Sequence, residues 1–223
     1  DGTGLVANTL SWAILQANTT PGADEIQLQT DVTVTGVMKR LINSDTTLTS
    51  DATRRTISGN DQFRPLFIKS GQVTIKNLDI NNGLAKGGNS GGGGAGAGMG
   101  GGLFIYDGTV EVQNVAFKNN KVRAGELISC SHLYCSGGGG MYGNTVRGGG
   151  GGLFIDALNL QGGYGGYHEY QGNAPSFGVG GDASTDHVQN GAPGGFGGGG
   201  GFRSSRPRAC NSCSRASRYA GSS

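Results

Sequence analysis

The sequence predicts an all-β fold, a parallel β-helix solenoid with an N-terminal capping helix and glycine-rich insertions. Three observations carry that prediction. First, Leu66–Asn82 (LFIKSGQVTIKNLDINN) lies without a gap over Leu103–Asn119 (LFIYDGTVEVQNVAFKN). Leu66-Phe67-Ile68 meets Leu103-Phe104-Ile105, Gly71 meets Gly108, Val73 and Ile75 meet Val110 and Val112, and Asn77 meets Asn114. Both copies read as two short strands broken at a glycine turn, with apolar residues alternating in period two. Second, a third LFI at Leu153-Phe154-Ile155 follows another glycine run. Self-similarity on this scale marks a stack of units, none of which can bury its apolar face alone. Third, no helix-length periodic run separates the strand candidates, which argues against a sheet built from βαβ units.

In chain order, TLSWAILQAN (residues 9–18) is the one helix-like stretch. Thr9 is placed to cap it, Leu10, Ala13, Ile14 and Ala17 fall on one face, and Pro21-Gly22 ends it. A helix ahead of a strand series serves to close the first unit of a stack, whose core and strand edges would otherwise be open. Trp12 is read as packing within that cap rather than as a ligand platform. Short strands are then expected at Glu25–Leu28, Val32–Val34, Lys39–Ile42, Thr47–Thr49 and Thr56–Ser58, each bounded by Asp, Asn, Gly or Ser. The division expected is one domain over 1–223: a cap (1–23), regular units (24–125), glycine-rich irregular units (126–202) and a basic, cysteine-containing tail (203–223).

Asn77 and Asn114 are expected at one corner of successive units, with their amides hydrogen-bonding along the stack. The chain has 47 glycines in 223 residues, about three times ordinary usage, without a collagen-like period. The run at residues 87–102 reads either as a flexible loop or as ordered layers in which missing Cβ atoms permit close backbone approach.

The stretch Leu10–Gly125, with SWAILQAN, GADEIQL, RTISGN, VTIKNLDINNG, GGGLFIYDG and VEVQNVAFKNN, resembles secreted right-handed parallel β-helix proteins of the pectin-lyase-like class. Within that class it is most similar to bacterial adhesin-type surface repeats. Gly101-Gly102-Leu103-Phe104 with Phe117-Lys118-Asn119-Asn120 resembles the GGA[ILV]…FxxN repeat of polymorphic outer-membrane proteins. It departs from that repeat in having Leu103 where alanine is usual and Ile80 where phenylalanine is expected. The resemblance implies the handedness and a secreted or cell-surface location. It leaves activity open, because the class holds lyases, hydrolases, esterases and non-catalytic adhesins.

Charge and hydropathy set further bounds. A formal net charge of +2 does not suit a protein that tracks a polyanion along its length, so nucleic acid is not an expected partner. No run of 18 apolar residues occurs, so no transmembrane helix is expected. The chain opens at Asp1 without a basic and apolar leader, and reads as a mature secreted product or as an excised fragment. Arg203, Arg206, Arg208, Arg215 and Arg218 form a basic end without an acid, read as a solvated terminus. Cys130/Cys135 and Cys210/Cys213 are expected to form disulfides, with free thiols or a zinc site including His132 as the other readings. No cofactor is expected. Calcium at Asp- and Asn-rich corners is the remaining metal reading, without a recognised loop spacing.

Catalysis on such a scaffold needs carboxylates stacked on one face, because neighbouring units lie about 4.8 Å apart and retaining glycosidases hold theirs about 5–5.5 Å apart. Asp107, Asp156 and Glu169 are the candidate acids, with His168 or His187 as a partner; Asp79 and Glu111 are further acids on strand faces. A Ser184/His187/Asp182 triad has the residue types but only sequence adjacency. Tyr164, Tyr167 and Tyr170, spaced by glycine pairs, offer rings for stacking on sugars or cover for glycine backbone. Three functions follow as expectations. The first is an adhesin-like module binding polysaccharide or a cell surface. The second is a carbohydrate- or ester-cleaving hydrolase or lyase, and the third is a self-associating structural protein.

Overall fold

A computed structural model describes residues 2–91, 94–128, 138–145, 150–154, 156–157, 177, 194 and 196–201. Among the described residues there is one helix, α1 (Leu10–Thr19), followed by twelve short strands. These are β1 (Asp24–Leu28), β2 (Val32–Thr33), β3 (Thr46–Ser50), β4 (Arg55–Ser58), β5 (Leu66–Ile68) and β6 (Gln72–Lys76). The series continues with β7 (Leu78–Asn81), β8 (Leu84–Lys86), β9 (Leu103–Ile105), β10 (Thr109–Gln113), β11 (Ala116–Lys118) and β12 (Lys121–Arg123). Every strand pairing is parallel. The strands stack in separate open sheets, in the orders β1-β3-β6-β10 and β11-β7-β4-β2, with β12-β8 and β5-β9 beside them. This arrangement is compatible with the solenoid expected from the sequence.

The two repeat copies lie strand on strand. Leu66 pairs with Leu103, Val73 with Val110, Ile75 with Val112, Ile80 with Phe117 and Leu84 with Lys121, so one register runs through four strand pairs. Alternation sends Leu66, Ile68, Val73, Ile75, Leu78 and Ile80 into a shared core with Leu48 and Ile57, each no more than 2% exposed. Burying a side chain of this size contributes about 1.5–3 kcal/mol. Parallel strands cannot be joined by two-residue hairpins, so the chain must turn corners between them. At those corners Asn77 and Asn114 adopt φ of 56° and 50°, and Asn114 Nδ2 donates to Asn77 Oδ1 at 3.0 Å. Asparagine tolerates this left-handed conformation because its short amide bonds locally. Gly71 and Gly108, at φ 101° and 99°, make the turn before β6 and β10.

The helix forms where expected, with Thr9 as N-cap accepting from the Trp12 amide. Leu10, Ile14 and Ala17 join the core and cover its β1 end. Lys39–Ile42 departs from expectation, since only Ile42 bridges, to Ile68. Its neighbours instead tie down the N-terminal segment. Lys39 N donates to Gly2 O, Arg40 Nε donates to Thr3 O, and Leu41 O accepts from Asn18 Nδ2.

Within the 87–102 run, Gly87, Gly88 and Gly96 are packed against other glycines. Gly88 N donates to Gly140 O, Gly96 N to Gly88 O, Gly125 N to Gly96 O, and Gly139 N to Gly94 O. Further on, Gly143 N donates to Gly152 O, Gly151 N to Gly138 O and Gly199 N to Gly151 O. A Cβ on Gly88 would overlap the Gly143 carbonyl oxygen, and one on Gly96 would overlap that of Gly140. The segments therefore lie closer than any side chain permits. Gly94, by contrast, faces open space. Gly88→Ala is expected to lower unfolding stability by about 1–3 kcal/mol, as overpacking does, whereas Gly94→Ala stays close to wild type; urea unfolding of both variants measures the difference.

Candidate functional site

The site begins with the alternation of β5. Leu66 and Ile68 point into the core, so Phe67 between them must face the other way, and Phe104 on β9 repeats it one layer along. The two rings meet with centroids 4.9 Å apart at 56°. Phe67 is buried beneath Met141, Leu153 and Phe154, which the glycine segments bring over it, and forms a second apolar cluster with them. At the margin of that cluster the rings reach solvent. Tyr106 is 45% exposed and packs edge-on to Phe177 at 4.7 Å and tilted to Phe196 at 4.5 Å. Phe177 and Phe196 are stacked at 5.5 Å, and Phe104 lies 5.9 Å from Phe196.

Two cations border this aromatic face. Lys69 Nζ lies 4.7 Å from the Phe177 ring centre. The Arg64 guanidinium lies 5.3 Å and 5.5 Å from the rings of Phe67 and Phe104, within cation–π range. Arg64 is buried, its Nε donating to Gly100 O and its Nη2 to Met99 O. Burial pulls its pKa down to about 10, a shift that Tyr142 opposes, and it stays charged at neutral pH. Burial likewise raises the Tyr142 phenol, against the influence of Arg64. A half-exposed ring such as Tyr106 at the margin of an aromatic cluster suits binding: rings stack on the C–H faces of sugars or on other flat apolar surfaces.

The carboxylates read from the sequence are held singly. Asp107 follows Tyr106 in the turn before β10, exposed, with Oδ1 accepting from the Gly108 amide at 2.7 Å. Asp156 is also exposed, and its Oδ1 accepts from Asn144 N at 2.6 Å and Asn144 Nδ2 at 2.9 Å. Asn144 Oδ1 in turn accepts from Asn89 N, and Asn89 Oδ1 from Glu126 N, so Asp156 ends a ladder of side chains beyond β8. Asp107 and Asp156 therefore occupy different corners. Glu111 lies beside Thr74 and accepts from Gln113 Nε2 at 2.7 Å.

Asp79 is a structural carboxylate. Its Oδ1 accepts from Arg54 Nε at 2.6 Å, and its Oδ2 pairs with Lys118 Nζ at 3.2 Å. Arg54 also reaches Asn114 O and Leu78 O, clamping the corner that holds Asn77. Burial raises the Asp79 pKa, but the bonds from Arg54 and Lys118 together outweigh it and hold the carboxyl below its ordinary value.

Glu169, His168, Tyr164, Tyr167, Tyr170, Cys130, Cys135, Cys210 and Cys213 lie outside the described residues, as do Asp182, Ser184 and His187. Among the described residues no three His, Cys, Asp or Glu side chains gather into a group that could hold a metal ion. No described helix is long and apolar enough to cross a membrane. The aromatic face was missed in the sequence because LFI reads as a continuous apolar run. The signal was the period itself: if Leu66 and Ile68 are inward, the phenylalanine between them faces out in both copies. Comparison with protein-family models, curated proteins and solved structures finds no match to this chain.

Asp79 supplies a test in pH. A carboxyl with a lowered folded pKa stabilises the fold fully above its unfolded value, and that stability is lost as pH falls through the folded value. Asp79→Asn is expected to be less stable than wild type at pH 7, with the difference shrinking from about pH 4 downward. Thermal unfolding of both proteins between pH 7 and pH 2 reads this.

Proposed function

We propose that this chain is a right-handed parallel β-helix module, secreted or displayed at a cell surface, that binds polysaccharide through the aromatic face beside β5 and β9. The observation that carries the reading is the half-exposed Tyr106 set among Phe104, Phe177 and Phe196, with Lys69 and Arg64 at its border. Binding is favoured over turnover because Asp79, Asp107, Glu111 and Asp156 are each engaged in a separate local bond. The test is retention of the purified chain on a panel of immobilised polysaccharides, run beside a turnover assay on the same polymers and on simple esters. Tyr106→Ala is expected to weaken retention about two- to tenfold, the equivalent of about 0.5–1.5 kcal/mol for one aromatic contact. Asp107→Asn should leave retention unchanged. Turnover of a polymer or ester that disappears with Asp107→Asn or Asp156→Asn would replace this reading with the hydrolase or lyase one.

A second reading, self-association, has its own observation. Val112, Phe117 and Val122 are 44%, 46% and 58% exposed, while their register partners Ile75, Ile80 and Ala85 are fully buried. Strands β9 to β12 are each paired on one side only among the described residues. An apolar, unpaired strand edge is a template for another chain. Light scattering is expected to show a mass that rises with concentration, and Val112→Lys with Phe117→Lys should return it to the monomer value. Monomers alone over a wide concentration range would remove this reading.

A further inference from the structure

We infer that the seam between α1 and the first two strands is a second binding site, one that takes a neutral sugar unit. Here α1 covers the core, burying Leu10, Ile14 and Ala17, while β1 and β2 remain the outer strands of their sheets. Between them runs a groove of about 370 Å³ lined by Trp12, Ile26, Gln27, Leu28 and Gln29. It adjoins a hollow of about 190 Å³ that ends at Asp31, Thr33 and Met38 and shares Asn8, Thr9 and Thr30 with it. The combined space falls in the lower range of small-molecule sites.

Its chemistry selects the ligand class. Trp12 is half-buried on the groove wall; Thr9 takes its backbone N–H, whereas no described residue accepts from its indole N–H. An indole offers a flat apolar face and one donor, which suits the C–H face and a hydroxyl of a pyranose ring. Gln29 Nε2 donates to Gln27 Oε1 at 2.8 Å, which sets the two amides side by side at the groove edge. Their remaining donors and acceptors, with the hydroxyl of Thr30, match a ligand rich in hydroxyl groups. No Lys, Arg or His lines either hollow, and the one acid, Asp31, already accepts from Thr56 N at 2.9 Å. An anionic ligand would find no counter-charge there. The site shares only a ligand class with the aromatic face proposed above, since none of its lining residues belongs to that face.

Trp12 is the sole tryptophan, so its fluorescence reports this groove and nothing else. The full chain is titrated with cellotriose, laminaritriose, mannotriose and chitotriose as neutral probes, and with trigalacturonate as the acidic control. Saturable change in Trp12 emission is expected with at least one neutral trimer, with trigalacturonate at least tenfold weaker. Gln27→Ala, an exposed change on β1, should raise the Kd about tenfold. Tyr106→Ala should leave the titration unchanged even where it reduces retention on polymer, which separates this site from the aromatic face. No saturable response to any neutral trimer, equal binding of trigalacturonate, or a Kd untouched by Gln27→Ala overturns the inference.

Discussion

The structure depends on one constraint, the in-register stacking of parallel strands across a corner that repeats. Because side chains alternate, a slip of one residue along β6 would carry Val73 and Ile75, buried beside Thr46 and Leu48 of β3, from the core to the surface together. The strands are two to five residues long and have too few hydrogen bonds to resist such a slip alone. The corners supply the resistance. Asn77 and Asn114 share both a left-handed backbone and an amide hydrogen bond, so a displaced register would force other side chains into a conformation costing roughly 1–2 kcal/mol each. Arg54, bonded to Asp79 and to the Asn114 carbonyl, bridges two layers at the same corner. Register is thus fixed by corner chemistry, and strand propensity follows it.

The glycine segments meet the same need for close backbone approach by another route. Glycine gives up more conformational freedom on ordering than any other residue, so these runs require a compensating gain. They find it in hydrogen bonds between segments, such as Gly88 to Gly140 and Gly143 to Gly152, that a Cβ would push apart. Their packing also has a consequence for the surface. It lays Met141, Leu153 and Phe154 over Phe67, converting the outer side of β5 into a second apolar cluster whose margin carries Tyr106. The fold and the candidate site are joined through residues that lack side chains.

What was legible in the sequence was whatever depends on neighbours along the chain. The ungapped match of Leu66–Asn82 to the later copy reproduces the strand register, because a repeat in sequence is a repeat in corner positions. The cap of α1 was readable from Thr9 for the same local reason. Lys39–Ile42 was misread because its apolar and basic residues serve partners far away, Gly2 and Thr3 among them. The aromatic face was hidden for a related reason. Phe104 and Tyr106 meet Phe177 and Phe196 through a path of glycines that carries no period. The carboxylates stood out by charge alone, and charge does not reveal that Asp79 is clamped or that Asp156 closes a ladder of side chains.

Among the described residues the two ends of the stack are physically unequal. At one end α1 buries Leu10, Ile14 and Ala17 against the core, so an approaching strand meets a helix rather than β1. At the other, β10 to β12 present Val112, Phe117 and Val122 beside Glu111, Lys118, Lys121 and Arg123. Charges on an edge strand are a common device against indiscriminate pairing, and here they flank an apolar row that an added layer would bury. The combination resists a neutral, flat strand while leaving room for a partner that answers those charges. The aromatic face lies on the flank of the stack and the Trp12 groove at its capped end. The proposed association through the β10–β12 edge and the proposed binding of glycan would therefore draw on different surfaces.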